Sequence, residues 1–306
     1  MNEISYAELG TVTVTFNPDV SLLLAQLMAL PADSCKVVVD NNSSEDVIEE
    51  IKASIETLEN VILLCSDVNA GLAAALNRGV AALGKFAPHA KLVLLLDQDS
   101  EPLPQSIETL VRRYRQLESK EGMVGCVGPT LIDPITKLSH GFHQRTRWRW
   151  VRVYPSSSSD ELVKCINING SGTLTSIDLY TRLRGMDESL FIDHIDTDWS
   201  FRVQASGYHL WGVPNAVFVH RMGVIGTRFW FFGWHVWPLR SPKRHYFLFR
   251  NAILLMKRPY VPKIWKTWAV VKLAMTLLVT VIIGPDRWSQ FNNMLKGMRE
   301  GCRMQR

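Results

Sequence analysis

The chain has 306 residues, 47% of them hydrophobic, which fits a globular protein of one large domain, or one domain with an appendage. Its five cysteines (Cys35, Cys65, Cys126, Cys165 and Cys302) form no CxxC pair and no His/Cys ligand spacing, which argues against a zinc site and fits a reducing compartment. The net charge of +5 hides an asymmetry: residues 1–239 carry 20 Lys+Arg against 27 Asp+Glu, residues 240–306 carry 14 against 2, and no nucleic-acid-binding motif accompanies the basic end.

The start, MNEISYAELG, is polar and acidic and does not read as a signal peptide. Thr11–Phe16 is a β-branched run closed by the turn Asn17-Pro18-Asp19, and Val20–Leu30 reads as a helix. Cys35–Asp40 is a second buried strand, followed by the polar loop Asn41–Ser44 and a helix over Asp46–Leu58. Val61–Cys65 is a third strand, Gly71–Leu83 an Ala-rich helix, and Leu92–Leu96 a fourth strand. Strands alternating with helices imply βαβ units, hence an α/β, doubly wound and mostly parallel sheet covered on both faces. Such sheets bind ligands beyond the carboxyl ends of their strands, where Asn17, Asp40, Asn69 and Asp97 fall.

Asp97-Gln98-Asp99 places two carboxylates on the same side of an extended chain. At a strand end they need a partner, because burying two like charges is costly. A hard divalent cation with a bound diphosphate supplies one.

The middle of the chain reads as less regular. Arg145–Arg152 alternates cationic and aromatic residues, as a strand with one basic face would, and Pro155–Asp160 is a loop. Gly170–Gly172 precedes a helix-like stretch ending near Gly185. Asp196–Ala205 reads as a helix stopped by Gly207, and Val213–His220 as a last strand. The basic end carries Trp265, Trp268 and Trp288 and the apolar run Ala269–Ile283. This run is short for a membrane span and contains Lys272, so attachment to an anionic membrane surface is the expectation.

Four segments in order resemble family 2 glycosyltransferases of the GT-A type, especially bacterial rhamnosyltransferases. They are Val38-Val39-Asp40-Asn41-Asn42-Ser43; Asn69-Ala70-Gly71 through Asn77-Arg78-Gly79; Leu95-Leu96-Asp97-Gln98-Asp99-Ser100; and Gly185-Met186-Asp187-Glu188 with Phe191–Arg202. The match spans roughly residues 9–223, and an Arg250-Asn251 pair resembles one found after this domain. Ile195 stands where the family often has Glu, and Asp198 where it has Glu.

The resemblance implies a catalytic domain over 1–223, with a nucleotide-sugar half at 1–100 and an acceptor half at 101–223, then a helical, basic, aromatic-rich, membrane-associated region at 224–306. It implies an inverting transferase using Mg2+ or Mn2+ and a nucleotide sugar, dTDP-L-rhamnose, with a saccharide or lipid-linked saccharide acceptor in cell-surface polysaccharide synthesis. The enzyme would work in the cytoplasm, peripheral on the inner face of the membrane. Donor contacts are expected from Asn17, Asp40, Asn42, Asn69, Gly71, Asn77, Asp97 and Gln98, and metal contacts from Asp97, Asp99 and His220. Asp40 would accept from the nucleobase, the amides beyond Asn69 and Gly71 would face phosphate, and Asp196 would be the general base. His220 also fits a purely structural role. Asp198 and Arg202, at i and i+4, read as a helix-surface ion pair.

Three other readings compete. A haloacid-dehalogenase-type phosphohydrolase also has strand-DxD, but wants Thr or Val where Glu101 stands and carries its motif on the first strand. A sugar nucleotidyltransferase wants an early Gly-rich loop that is absent. A non-catalytic saccharide-binding subunit would not need Asp97, Asp99 and Asp196 intact.

Overall fold

The computed structural model describes residues 6–146, 149–221, 226–230, 234–238 and 240–304. The first third alternates strand and helix: β1 Leu9–Thr15, α1 Val20–Ala29, β2 Cys35–Asp40, α2 Glu45–Ile55, β3 Val61–Cys65, α3 Leu72–Phe86 and β4 Leu92–Asp97. The β1, β2 and β4 runs are almost wholly buried, as strands covered on both faces must be. They pair in parallel in the order β3-β2-β1-β4.

Beyond β4 come β5 Ser100–Pro102, α4 Ser106–Glu121, β6 Val124–Ile132, β7 Phe142–Arg145, β8 Trp150–Val153, β9 Val163–Cys165 and β10 Thr173–Ser176. Next follow α5 Ile177–Arg182, a 3-10 turn at Glu188–Leu190, α6 Ile195–Ala205 and β11 His209–His220. The sheet continues β4-β10-β6-β11-β5, with β9 on β11; β10 runs antiparallel to both its neighbours, while β6 and β11 are parallel. The sheet is thus mostly parallel, as expected, with its reversal next to β4.

Several local expectations change. The stretch after Gly172 is a strand before it is a helix: β10 inserts between β4 and β6, and only then does α5 begin. Of the run Arg145–Arg152, Arg145 ends β7 and Trp150–Arg152 lie in β8, two strands that pair antiparallel. The chain after His220 still forms β12 Gly226–Trp230 and β13 Trp234–Pro238, paired with each other.

Three helices end the chain: α7 Pro242–Lys257, α8 Lys263–Ile283 and α9 Arg287–Arg303. α7 and α9 pack closely because Gly297 has no side chain; a Cβ there would lie 2.3 Å from the Tyr246 carbonyl oxygen. α8 is longer than its apolar run. It spans 21 residues, enough to cross a membrane by length and composition, with only 22% of its most apolar 18-residue window buried.

Candidate active site

At the carboxyl end of β4 the chain turns sharply into β5. Gln26 of α1, fully buried, holds this turn. Its Nε2 donates to the carbonyls of Asp97 (2.7 Å) and Ser100 (2.5 Å), while its Oε1 accepts from the Thr13 hydroxyl at 2.7 Å. Gln98 Oε1 accepts the Phe16 N–H at 2.8 Å, tying the same turn to the end of β1. Ser171 completes the frame, its hydroxyl bonded to that of Ser100 and 3.4 Å from the Asp97 N–H.

This frame brings Asp97, Asp99 and His220 together, with one ligand atom from each lying within 4.8 Å of the others. His220 Nδ1 is 2.8 Å from Ser100 Oγ and 3.3 Å from Asp99 Oδ1, and Nε2 is 3.9 Å from Asp97 Oδ2. Burial pushes the Asp97 carboxyl above the usual range; His220 opposes this and Asp99 adds to it. Burial also pulls His220 down, but the Asp99 hydrogen bond and the two carboxylate charges outweigh it and leave its pKa raised. Two oxygen donors and one imidazole fit a hard-to-borderline divalent ion such as Mg2+ or Mn2+, whose charge would relieve the carboxylate repulsion.

The expected donor-binding residues divide. Asp40 is 0% exposed: Oδ1 accepts the Ser43 N–H (2.8 Å), and Oδ2 accepts the hydroxyls of Ser43 (2.5 Å) and Thr15 (3.0 Å). It shapes the loop after β2 and presents no free edge to a base. Asn17 joins the same loop, its N–H bonded to Ser43 Oγ (2.7 Å) and its Oδ1 to the Ser44 N–H (3.0 Å). Asn42 is exposed there, with φ of 73°. Phe16, 48% exposed beside Asn17 and Gln98, was not singled out by any sequence pattern.

Asn69 accepts from Asn41 Nδ2 (3.0 Å) and the Gly71 N–H (3.1 Å), while Asn41 Oδ1 takes the Ala70 N–H (3.0 Å). The Leu72 N–H bonds the Phe191 carbonyl at 2.7 Å. The Ala70, Gly71 and Leu72 amides leading into α3 are therefore bonded within the protein, so a phosphate at this helix start would face the amides after Leu72. Gly71 has φ of 91°, and a Cβ there would meet Phe191 at 2.6 Å. Asn77 is also drawn away from a donor. Its Oδ1 accepts from Tyr180 (2.7 Å) and the Met186 N–H (2.8 Å), and its Nδ2 donates to the Met186 carbonyl (2.9 Å) and Glu188 (2.8 Å). Its amide pins the Gly185–Glu188 turn onto α3.

The segment before α6 is strained. Phe191, Asp193 and His194 have φ of 63°, 61° and 64°. What holds it is the Arg250-Asn251 pair on α7. Asn251 Nδ2 donates to the carbonyls of Leu190 (2.7 Å), Ile192 (2.7 Å) and Asp193 (3.0 Å), and Arg250 Nη2 to those of Ser189 (2.6 Å) and Leu190 (3.1 Å). Arg240 and Arg244 close on Asp193 at 2.6 and 3.1 Å. Burial raises the Asp193 carboxyl, but these guanidinium groups outweigh it and hold it below the usual range. Phe191 stacks on Phe247 at 4.7 Å.

Asp196 follows at the start of α6, half-buried, its Oδ1 accepting its neighbour's N–H at 2.8 Å. Burial pushes its carboxyl up to about 6, assisted by the charges of Asp97 and Asp193. It lines a cavity of about 60 Å³ with His140, His143, Asn169 and Ser171 among others. Ser171 thus belongs both to this cavity and to the frame of the Asp97 turn. Asp198 is not on the surface. It is fully buried, bonded to Arg202 (2.7 Å), Tyr260 (2.6 Å) and Arg258, and Arg258 also reaches Asp187.

Residues 23–128 match the family model described as Glycosyl transferase family 2. The chain is 29% identical over 270 residues to dTDP-rhamnosyl transferase RfbF of Shigella flexneri, covering 86% of this chain and 83% of that protein. It is 25% identical over 237 residues to an N-acetylglucosaminyl-diphospho-decaprenol L-rhamnosyltransferase of Mycobacterium tuberculosis, covering 69% and 75% respectively. Among solved structures it resembles GalNAc-T7 with UDP, GalNAc and Mn2+ (TM-score 0.59, 16% identity), over 92% of this chain but only 59% of that one. It also resembles the mannosyltransferase PcManGT from Pyrobaculum calidifontis in complex with GDP-Man and Mn2+ (TM-score 0.54, 15% identity), over 97% and 87%. The fold is GT-A-like, residues 23–128 form a family 2 glycosyltransferase domain, and the chain is a glycosyltransferase of rhamnosyltransferase-like sequence.

Proposed function

We propose that this glycosyltransferase moves L-rhamnose, with inversion, from dTDP-L-rhamnose to the hydroxyl of a saccharide carried on a lipid diphosphate. The observation that carries the reading is the frame shared by two sites. The Asp97–Asp99–His220 cluster and the Asp196 cavity meet at Ser171, so a donor diphosphate and an acceptor hydroxyl would be held side by side. The choice of donor and acceptor is supported by the names of the two rhamnosyltransferase relatives.

Asp97, Asp99 and His220 would hold Mg2+ or Mn2+, whose charge would stabilise the departing nucleoside diphosphate. Asp196, with a carboxyl near 6, takes the proton from the acceptor hydroxyl as it attacks the anomeric carbon. The base of the nucleotide would lie near Phe16, Asn17 and Asn42, the exposed or turn-forming groups at the ends of β1 and β2. Asp40 keeps that loop in shape, and Asn69 and Gly71 anchor it to the Phe191 segment. His140 and His143 bound the acceptor side of the cavity. The basic C-terminal region would rest on the inner, anionic face of the cytoplasmic membrane, where a lipid-linked acceptor is found.

A donor panel tests the reading. The protein is incubated with dTDP-L-rhamnose, UDP- and GDP-sugars, each with Mn2+, Mg2+ or EDTA, and nucleotide release is measured. Release of dTDP that EDTA abolishes is expected, with Asp97→Asn and Asp99→Asn each falling by about 10²-fold or more. Release of UDP but not dTDP would overturn the donor, and full activity in EDTA would overturn the metal.

A further inference from the structure

Helix α8 lays a stripe of Trp265, Ala269, Thr276, Val279 and Thr280 against the rest of the molecule, all buried. At 3.6 residues per turn these lie within about 100° of one another. Lys272 falls inside the same stripe, yet it is exposed. A long cation in the middle of a packed stripe that still meets solvent marks a break in the packing of α8 at that point. Trp265 fixes where that surface is: its ring meets His194 at 5.5 Å and Phe201 at 5.8 Å, beside the Asp196 segment.

The wall opposite includes β8, which packs against α8 and carries the exposed Arg152. Arg152 Nη2 lies 3.2 Å from His143 Nε2, while His143 Nδ1 accepts the Trp150 indole N–H at 2.9 Å. Burial and the nearby cations push His143 down to about 3, so the ring is neutral. With Nδ1 accepting, its proton is on Nε2. That N–H and the guanidinium are then two donors facing each other at 3.2 Å, a contact that a bound anion accepting from both would relieve. The charges felt at Lys272 are those of the cations Arg240 and Arg152 and of the carboxylates Asp193 and Asp196. Asp193 is already paired with Arg240 and Arg244.

We propose that Arg152, Lys272 and the His143 Nε2–H form a subsite for the phosphate-ester anion of an amphiphilic acceptor, beside the Asp196 cavity. The hydrocarbon chain of that acceptor leaves along the unpacked face of α8, where Trp268, Val271, Leu278 and Ile282 are 47%, 47%, 56% and 55% exposed. Cations at the head of an apolar strip match a charged head on an apolar tail. The inference deepens the glycosyltransferase reading and rests on it for the identification of the ligand as acceptor.

The test is calorimetric titration of the full chain, in EDTA, with farnesyl diphosphate, farnesol and inorganic diphosphate as probes. Farnesyl diphosphate is expected to bind better than either of the others. The double variant Arg152→Ala/Lys272→Ala is expected to weaken it by about tenfold or more, and Arg152→Lys/Lys272→Arg to restore most of the loss. Both side chains are exposed, so the variants keep the fold, checked by thermal unfolding and by unchanged binding of dTDP-L-rhamnose with Mn2+. Unchanged farnesyl diphosphate binding in the alanine variant, or equal binding of farnesol, overturns the subsite. If the wild type binds phosphatidylglycerol vesicles through these two residues but not soluble farnesyl diphosphate, they contact bilayer headgroups and the acceptor proposal falls. If farnesyl diphosphate binds as described while no nucleotide sugar binds, the glycosyltransferase reading fails and a lipid-phosphate site remains.

Discussion

Asp193 and Asp196 lie three residues apart, and their surroundings push them in opposite directions. Asp193 is neutralised by Arg240 and Arg244, whereas Asp196 has no guanidinium partner among the described residues and is pushed up to about 6 by burial, with Asp97 and Asp193 adding to the shift. Pairs separated in this way divide structural from proton-transfer duty. Asp196→Asn is expected to cut turnover by about 10²- to 10⁴-fold while leaving nucleotide-sugar binding nearly intact, which rate assays and donor titration measure side by side. In the wild type, kcat/KM is expected to fall below about pH 6, since Asp196, the proposed base, must be deprotonated. The linkage has the opposite sign for stability. A carboxyl with a folded pKa above its unfolded value destabilises the fold at high pH, fully above about 6, and the cost vanishes below the unfolded value. Asp196→Asn should therefore stabilise the protein at pH 8, by about 1–2 kcal/mol after allowing for partial exposure. It should change little at pH 3.5. Thermal unfolding at the two pH values reads the difference, and a lower Tm at pH 8 would contradict the raised carboxyl.

At the scale of elements, α7 acts on Asp196 through the segment that precedes it. Its Asn251 amide takes three carbonyls of a segment whose backbone is otherwise unfavourable, and Arg250 takes two more. Asn251→Ala strips buried acceptors of their donor, a loss of about 2–4 kcal/mol. Urea unfolding is expected to show that loss, and turnover to fall more than donor affinity, because Asp196 hangs from the released segment. Equal stability with normal turnover would show that the left-handed turns hold themselves. The pair was visible in the sequence, but not its task, since it lies 58 to 61 residues from the carbonyls it binds. The strands β1 to β4 were legible because buried parallel strands are continuous apolar runs. β10 was not, because a four-residue TLTS strand between Gly172 and the start of α5 has too little pattern to separate it from the helix that follows. β6 was hidden by Gly125, Gly128 and Pro129, which read as punctuation. Asp97, Asp99 and His220 were all named from the sequence; Gln26 and Ser171, which place them, offered only single polar residues in ordinary settings. Asp198 misled for a related reason. Its i, i+4 partner Arg202 is real, but burial comes from Arg258 and Tyr260, 60 and 62 residues later.

For the whole molecule, those long-range contacts mean that the C-terminal helices are not a passive appendage. Arg258 binds Asp198 and Asp187, Tyr260 binds Asp198, and Trp265 covers His194 and Phe201. Removing them would leave Asp198, at 0% exposed, with Arg202 as its one remaining cation among the described residues. A fragment of residues 1–223 is accordingly expected to lose cooperative unfolding and activity together, as measured by calorimetry; an active, cooperatively folded fragment would show that the domain boundary is also an energetic one. The same helices set the expectation for the membrane. The +12 balance after residue 239 attracts an anionic surface, with each basic residue near it contributing on the order of 1 kcal/mol, weakened by salt. The exposed face of α8 adds an apolar part that salt does not weaken, at about 25 cal/mol per Å² buried. α8 is long enough to cross, but its packed stripe already covers the catalytic half, and leaving that contact would expose Trp265, Ala269 and Thr276. Lying along the interface keeps both faces satisfied. Carbonate or high salt is therefore expected to release much of the protein from membranes, and flotation with liposomes is expected to require anionic lipid. Resistance to carbonate with release only by detergent would mean that α8 leaves the catalytic half and inserts. A failure to float would leave α8 exposed to water and remove the physical support for a lipid-linked acceptor.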